Sequence, residues 1–207
     1  MQDKFWNNPQ VVEDFSSRPC SKYIVDEVED ILSKNKIETA IDIGCGGGRY
    51  SKFLKQRNVD VFSIDKNQGM VEFVKTFNQN AKECDMSKID APSESFDLAL
   101  SIGVMHNAVT DEQFNSSISE IARVLKPNAY AVVSIFTNKH ISSDLTHQGG
   151  NLYYLSHEKP PMILCSQEDI VEKFERAGLA LDHFVDEHLT DVGTGERNVL
   201  SLCFIKK

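Results

Sequence analysis

Apolar positions along this chain change period several times, and each change marks a change of element. Ile24, Val28, Ile31 and Leu32 recur at i, i+4, i+7 and i+8 behind Ser21, which predicts a helix with one buried stripe and a polar residue at its N-cap. Thr39 to Ile43 is a short apolar run ending in a glycine cluster, and Tyr50, Phe53 and Leu54 then resume helical spacing. Strand, glycine turn and helix in that order open a βαβ unit. The alternation repeats. Val59 to Ile64 reads as a strand, and Met70, Val74 and Phe77 as a helix that Asn67 can cap. Phe96 to Ile102 is the strongest central strand. Asp111 is placed to cap a helix carrying Phe114, Ile118, Ile121, Ala122 and Leu125, which Pro127 stops. Ala129 to Phe136 follows as a strand.

Such alternation predicts an α/β fold, doubly wound, with a mainly parallel sheet and helices on both faces. From Thr137 to Cys165 the periodicity lapses into a polar stretch with His140, His147, Gly149-Gly150, Tyr153-Tyr154, His157 and Pro160-Pro161. A stretch this long without regular structure is expected to be a lid or substrate loop. Order returns at Ser166, which forms a capping box with Asp169 ahead of Ile170, Val171 and Phe174, and Gly178 ends that helix. Leu181 to His188 and Asn198 to Ile205 then predict an antiparallel pair closing the sheet edge. The chain thus reads as one domain, with a helical cap over 1–36, a core over 37–136, the lid over 137–165 and a helix with a strand pair over 166–207.

Composition narrows the functions. With 207 residues, 41% of them hydrophobic and 26% charged, the chain is long enough for one well-buried core. Its net charge of −9 repels phosphates, so DNA is not expected as a partner and tRNA is disfavoured. The acidity is uneven: Glu158 to Arg197 holds ten acids against four lysines and arginines. Cys20, Cys45, Cys84, Cys165 and Cys203 are scattered without a C-x-x-C pair, which speaks against disulfides and against a zinc site. His140, His147, His183 and His188 likewise lack metal-ligand spacing. The sequence has no apolar run of signal-peptide or membrane-spanning length, so the expected setting is the cytoplasm and no membrane partner is foreseen. Oligomeric state leaves no mark in the sequence.

The chemistry centres on Asp42-Ile43-Gly44-Cys45-Gly46-Gly47-Gly48, placed where an open α/β sheet binds its ligand. Glycines there let the backbone approach a ligand closely, and the following helix offers unpaired N–H groups. A dinucleotide-binding G-x-G-x-x-G would need its third glycine at position 49, which is Arg49. Asp65 follows the second strand, 21 residues after Gly44, where a carboxylate can grip two ribose hydroxyls.

The order Asp42-x-Gly44-x-Gly46-x-Gly48 resembles the D-x-G-x-G-x-G turn of class I S-adenosylmethionine-dependent methyltransferases. The resemblance continues through Asp65, through Asp85-Met86, through Ser95-Phe96-Asp97-Leu98-Ala99-Leu100-Ser101, and through Arg123-Val124-Leu125-Lys126-Pro127-Asn128. It is good from about Ile37 to Phe136, and the flanking segments look like the broad type 11 group of small-molecule enzymes. The family's double glycine after the Lys-Pro turn is Asn128-Ala129 here, and asparagine tolerates the left-handed conformation such a turn needs.

Membership implies a Rossmann-like, seven-stranded sheet and S-adenosylmethionine as cofactor, released as S-adenosylhomocysteine. It assigns Asp42, Gly44, Cys45, Gly46, Asp65, Lys66, Met70, Asp85, Met86, Ser101, Ile102 and Gly103 to cofactor binding. Asp85 would accept from the adenine amine and Met86 would cover the ring. Cys45 has no paired base and reads as a small turn residue. His106, leaving the fourth strand at the ligand edge, is the candidate proton acceptor or substrate contact. Trp6 and Arg18, with Phe5, lie in a segment that folds over the methionine end of the cofactor in this family. Tyr153 and Tyr154, with His157, can line a substrate pocket. The acceptor is expected to be a small molecule. A tRNA- or protein-modifying enzyme is the alternative, since Ser101-Ile102-Gly103-Val104-Met105-His106 resembles wobble-uridine methyltransferases, and a non-catalytic cofactor-binding subunit is the third.

Overall fold

A computed structural model describes residues 9–155, 161–193 and 195–207, for Pro9, Asp14 and Phe15 the backbone alone. Trp6, Phe5 and His157 lie outside the described residues. In chain order the elements are α1 (Pro9–Ser17), α2 (Lys22–Lys34), β1 (Thr39–Ile43), α3 (Arg49–Lys55), β2 (Asp60–Asp65), α4 (Gln68–Lys75), β3 (Ala81–Glu83) and β4 (Phe96–Ile102). A 3-10 turn (Met105–Asn107) leads to α5 (Asp111–Val124), β5 (Leu125–Ile141), β6 (Thr146–Gly149), β7 (Leu152–Tyr154), β8 (Met162–Ile163), α6 (Gln167–Arg176), β9 (Leu179–Asp191) and β10 (Glu196–Lys206).

Seven strands form one sheet in the order β3-β2-β1-β4-β5-β10-β9. The first five pair in parallel, and β10 runs antiparallel between β5 and β9. Side chains alternate across each strand, so the sheet buries a core on both sides. On one side Ile41, Ile43, Ile64, Ala99 and Val133 pack against Phe114, Ile118 and Ile121 of α5 and Ile170 and Phe174 of α6. On the other, Ala40, Leu98, Leu100 and Val132 pack against Ile24, Val28 and Ile31 of α2 and Tyr50 and Leu54 of α3. This is the doubly wound, mainly parallel arrangement the alternation predicts. The strand order reverses at β1, between β2 and β4, and the crevice at the carboxyl ends of β1 and β4 is where such sheets take ligands.

Three local expectations are corrected. The stretch from Thr137 to Cys165 is not without regular structure: β5 runs on to Ile141, and β6, β7 and β8 form a separate three-stranded antiparallel sheet. These strands span two to four residues, and the four of β6 are all exposed, so no apolar period advertises them. Thr110, not Asp111, caps α5, its hydroxyl accepting the Gln113 N–H at 3.1 Å. Asn67 and Ser21 sit at the N-cap positions of α4 and α2 but make no side-chain cap there. Other details hold. Ser166 accepts the Asp169 N–H at the start of α6, and Asn128 takes up φ 65°, the left-handed backbone its place in the Lys-Pro turn calls for.

Candidate active site

The turn after β1 is built from two kinds of glycine. A methyl group on Gly44 would meet Val104 at 2.3 Å, on Gly47 it would meet Ser16 of α1 at 2.4 Å, and on Gly48 it would meet Phe77 and Val74 at 2.7 and 2.8 Å. These three let other elements pack close. Gly46, at φ 52°, and Gly103, at φ 72° just beyond β4, face open space instead. They flank the switch-point crevice and leave their backbone accessible to a ligand. The contact of Gly47 with Ser16 seats α1 against the turn, and two bonds anchor the chain that follows: Arg49 donates to the Pro19 carbonyl at 3.1 Å, and the Ser21 N–H donates to Tyr50 Oη at 3.0 Å. Arg18 lies exposed between these anchors.

Three carboxylates stand at the carboxyl ends of the first three strands. Asp42, 2% exposed in β1, accepts from Ser51 Oγ at 2.6 Å. Its burial among apolar strands disfavours charge and pushes the carboxyl up to about 6, although the Ser51 contacts pull the other way. Ser51 continues to Ser63 Oγ at 2.7 Å, and Asn78 donates to Ser63 at 2.8 Å, so a buried polar chain runs beneath the turn. Asp65 ends β2. One of its oxygens takes the Gly46 N–H at 2.9 Å and the other takes the backbone and side-chain N–H groups of Asn67 at 2.9 and 2.8 Å. It therefore fixes the glycine turn as well as presenting a carboxylate. Asp85, half-buried after β3, accepts from Ser87 and, at 3.2 Å, from Gln113 of α5. Burial opposes its charge, yet the Ser87 and Gln113 hydrogen bonds hold it below the usual carboxylate range.

Ser101 ends β4 beside the crevice, with Ile102 half-buried and Gly103 exposed. Among the described residues, Ser101 Oγ and Asn67 Oδ1 are buried without a hydrogen-bond partner. Two orphaned acceptors, two glycines facing open space and a row of carboxylates fit a ligand rich in hydroxyl and amino groups. Met70 is buried, Met86 packs on the core, and Lys66 is near enough to act on Asp85. Cys45 is buried and its thiol is pushed far up by burial, so it is inert as a nucleophile.

His106, 4% exposed in the 3-10 turn, stacks on Phe136 with ring centroids 3.9 Å apart. Its Nδ1 receives the Phe136 N–H at 3.4 Å, which leaves the ring proton on Nε2. Burial, helped by the charge of Arg197, lowers its pKa to about 3. The ring is neutral across the physiological range. The small sheet packs on this turn: Leu152 and Ile163 join the main core, while Tyr153 joins Leu145, Met162 and Leu164 in a separate cluster and tilts against His147. Strand alternation puts Tyr154 on the side of Leu152, so the two tyrosines face opposite sides of the small sheet. Sequence reading missed Asn67, Ser51, Gln113 and Arg197. Arg197 is 1% exposed, bonds Asp144 at 2.7 Å and Ser142 at 2.6 Å, and ties β10 to the entrance of the small sheet.

Known proteins agree with this architecture. Residues 41–133 match the family described as methyltransferase domain. This match over the β1–β5 core, with the fold, supports a class I S-adenosylmethionine-dependent methyltransferase. Its fold is shared with an S-adenosylmethionine-dependent methyltransferase from Methanosarcina mazei, at 17% identity and TM-score 0.72 over 91% of this chain and 99% of that one. It is shared too with the Burkholderia thailandensis 1,6-didemethyltoxoflavin-N1-methyltransferase, solved with its substrate and S-adenosylhomocysteine, at 16% identity and TM-score 0.65 over 89% and 77%. Curated relatives include the tRNA (carboxymethyluridine(34)-5-O)-methyltransferase ALKBH8 of Mus musculus, 32% identical over 46% of this chain. A probable tRNA methyltransferase 9B of Homo sapiens is 32% identical over 55% of it. The chain spans 14% and 26% of those two relatives. S-adenosylmethionine is the cofactor this methyltransferase fold uses, and the residues around the crevice fit it.

Proposed function

We propose that this protein transfers the methyl group of S-adenosylmethionine to a small molecule whose acceptor atom already carries a free lone pair. The observation that carries the reading is the packing of the small sheet on the His106 turn and of α1 on Gly47, which sets two covering elements beside the carboxyl ends of β1 and β4. A site covered by such elements suits a small acceptor. When bound, the cofactor supplies an electrophilic methyl on a positively charged sulfur.

In this reading Gly46 and Gly103 admit the cofactor against the backbone, and Asp65 accepts from its ribose hydroxyls. Asp85 accepts from its adenine beside Met86, with Lys66, Met70, Gly44, Cys45 and Ile102 shaping the walls. Ser101 Oγ and Asn67 Oδ1 gain the partners they lack. Asp42, ionised at neutral pH, supplies negative charge beneath the cationic cofactor. His106 serves as a neutral Nε2–H donor to the acceptor and not as its base, because a ring held near pKa 3 takes protons poorly. A pre-ionised acceptor, such as a carboxylate, needs no base. Tyr154 and Arg18 are assigned to the acceptor end in this reading, as is Trp6, which precedes α1 in the sequence.

A tRNA acceptor is the second reading, favoured by the curated relatives, whose named substrate carries a carboxymethyl group that is ionised at neutral pH. The charge of −9 weighs against it. Purified protein incubated with labelled S-adenosylmethionine and a metabolite extract, total tRNA or denatured protein separates the two. Label is expected in the metabolite fraction, and label confined to tRNA would replace the first reading by the second.

A further inference from the structure

On the sheet face that α2 covers, three elements distant in sequence bring together Glu27 of α2, His183 of β9 and Cys203 of β10. His183 and Cys203 are directly opposed in the antiparallel ladder, and Glu27 reaches them from the helix above. One oxygen, one nitrogen and one sulfur, each a possible ligand atom, all lie within 4.8 Å of one another. His183 Nε2 is 2.9 Å from Glu27 Oε2, and its Nδ1 is 2.8 Å from Asp182 Oδ2.

We propose that this trio binds one zinc ion, with Cys203 Sγ, His183 Nε2 and Glu27 Oε2 as ligands and water in the fourth place. A mixed sulfur, nitrogen and oxygen set of three suits zinc, whose tetrahedral ligands stand roughly 3–4 Å apart, so the trio needs only a small outward shift. Magnesium and calcium, which take oxygen ligands, are poorly matched to a thiol. Asp182 supplies the carboxylate that metal-bound histidines characteristically hold on their other nitrogen, which fixes the ring and the tautomer. Cys203 is fully buried and the Glu27 side chain is 10% exposed, whereas the His183 side chain is 46% exposed, so the ligands are held by packing and the ion enters past the imidazole.

Without metal, His183 bridges two carboxylates, which favour its protonated form against the cost of burial, and the Cys203 thiol keeps its proton. Binding releases the thiol proton and the Nε2 proton, and the ion takes the freed lone pairs together with one from Glu27. No residue spacing could announce this site, because its ligands come from three separate elements. The consequence is a staple between α2 and the β9–β10 edge, so zinc raises the melting temperature.

Cobalt(II) serves as a coloured probe for zinc. Full-length protein freed of metal by chelation is titrated with it in the presence of a reductant. The expected result is one equivalent bound, a thiolate-to-cobalt absorption band, tetrahedral ligand-field bands, and displacement of the colour by zinc. Cys203→Ser should abolish the thiolate band. Should that variant fail to fold, His183→Gln on the exposed side of the trio carries the test, with the same loss of tight binding and unchanged methyl transfer. Asp182→Asn should weaken binding about 10-fold. Absence of saturable binding, or binding and colour unchanged in His183→Gln, would overturn the proposal, the latter by assigning the ion to the half-buried thiols of Cys20 or Cys84.

Discussion

Asp42 couples the site to pH through its burial. Its carboxyl lies near 6 in the folded chain against 3.8 for the free group, so folding disfavours the ionised form. The sign follows: its contribution to stability is full below about pH 4 and is lost as pH rises through about 6, a change of at most about 3 kcal/mol. Asp42→Asn keeps an acceptor for Ser51 without the charge. Without ligand, the variant should melt above the parent at pH 8, by a margin that falls to about half at pH 5. Cofactor affinity should rise through pH 6 in the parent and stay flat in the variant, which calorimetry at both pH values would show; parallel profiles would remove Asp42 from the site. Asp65→Ala should weaken cofactor binding by about 1–3 kcal/mol, with the exposed Asp60→Ala as the unaffected control. Part of that loss would be a loosened glycine turn, since Asp65 holds the Gly46 N–H. These acids were legible in the sequence because each follows a strand at a predictable edge. Asn67, Ser51 and Gln113 were not, because only the packed helices bring them to those carboxylates.

At the level of elements, the small β6–β8 sheet depends on a clamp beyond its own strands. Arg197 of β10 bonds Asp144 and Ser142, and Ser142 also bonds Asp144, so the turn leading to β6 is pinned to the main sheet. Arg197→Met should cost about 3 kcal/mol, because it leaves Asp144 against a buried surface without its partner. The accompanying sign is faster hydrogen exchange over 142–155 than in β1 or β4; uniform loss of protection would mean that the clamp serves the whole fold and not the small sheet. Gly195→Ala should act in the same direction, since its Cβ would fall 2.4 Å from Asp144 at φ 103°. The sequence revealed the helices and long strands through their apolar periods. It hid β6 to β8, whose few residues alternate too briefly to show a period, and it hid Arg197, which reads as one base in an acidic stretch.

For the whole molecule, the sequence pattern foretold a parallel sheet closed by an antiparallel pair, but not which strand of that pair meets β5. The order β5-β10-β9 places the later strand inside the earlier one. This bears on how the chain is made. As it leaves the ribosome, β5 emerges with a bare edge, and β9 cannot cover it because the seat beside β5 belongs to β10. The sheet therefore waits for Glu196–Lys206 before either of its antiparallel ladders can form, with Leu200, Leu202 and Phe204 missing from the core until then. Stalled nascent chains ending before Glu196 should be cut readily by protease and bind no cofactor, while released full-length chains resist. Protection already present in the shorter chains would show that β1 to β5 fold without their last neighbour. If they do not, the cell must shelter an unfinished hydrophobic sheet from the emergence of β5 until β10 arrives, which makes this protein a natural client for chaperones that attend nascent chains.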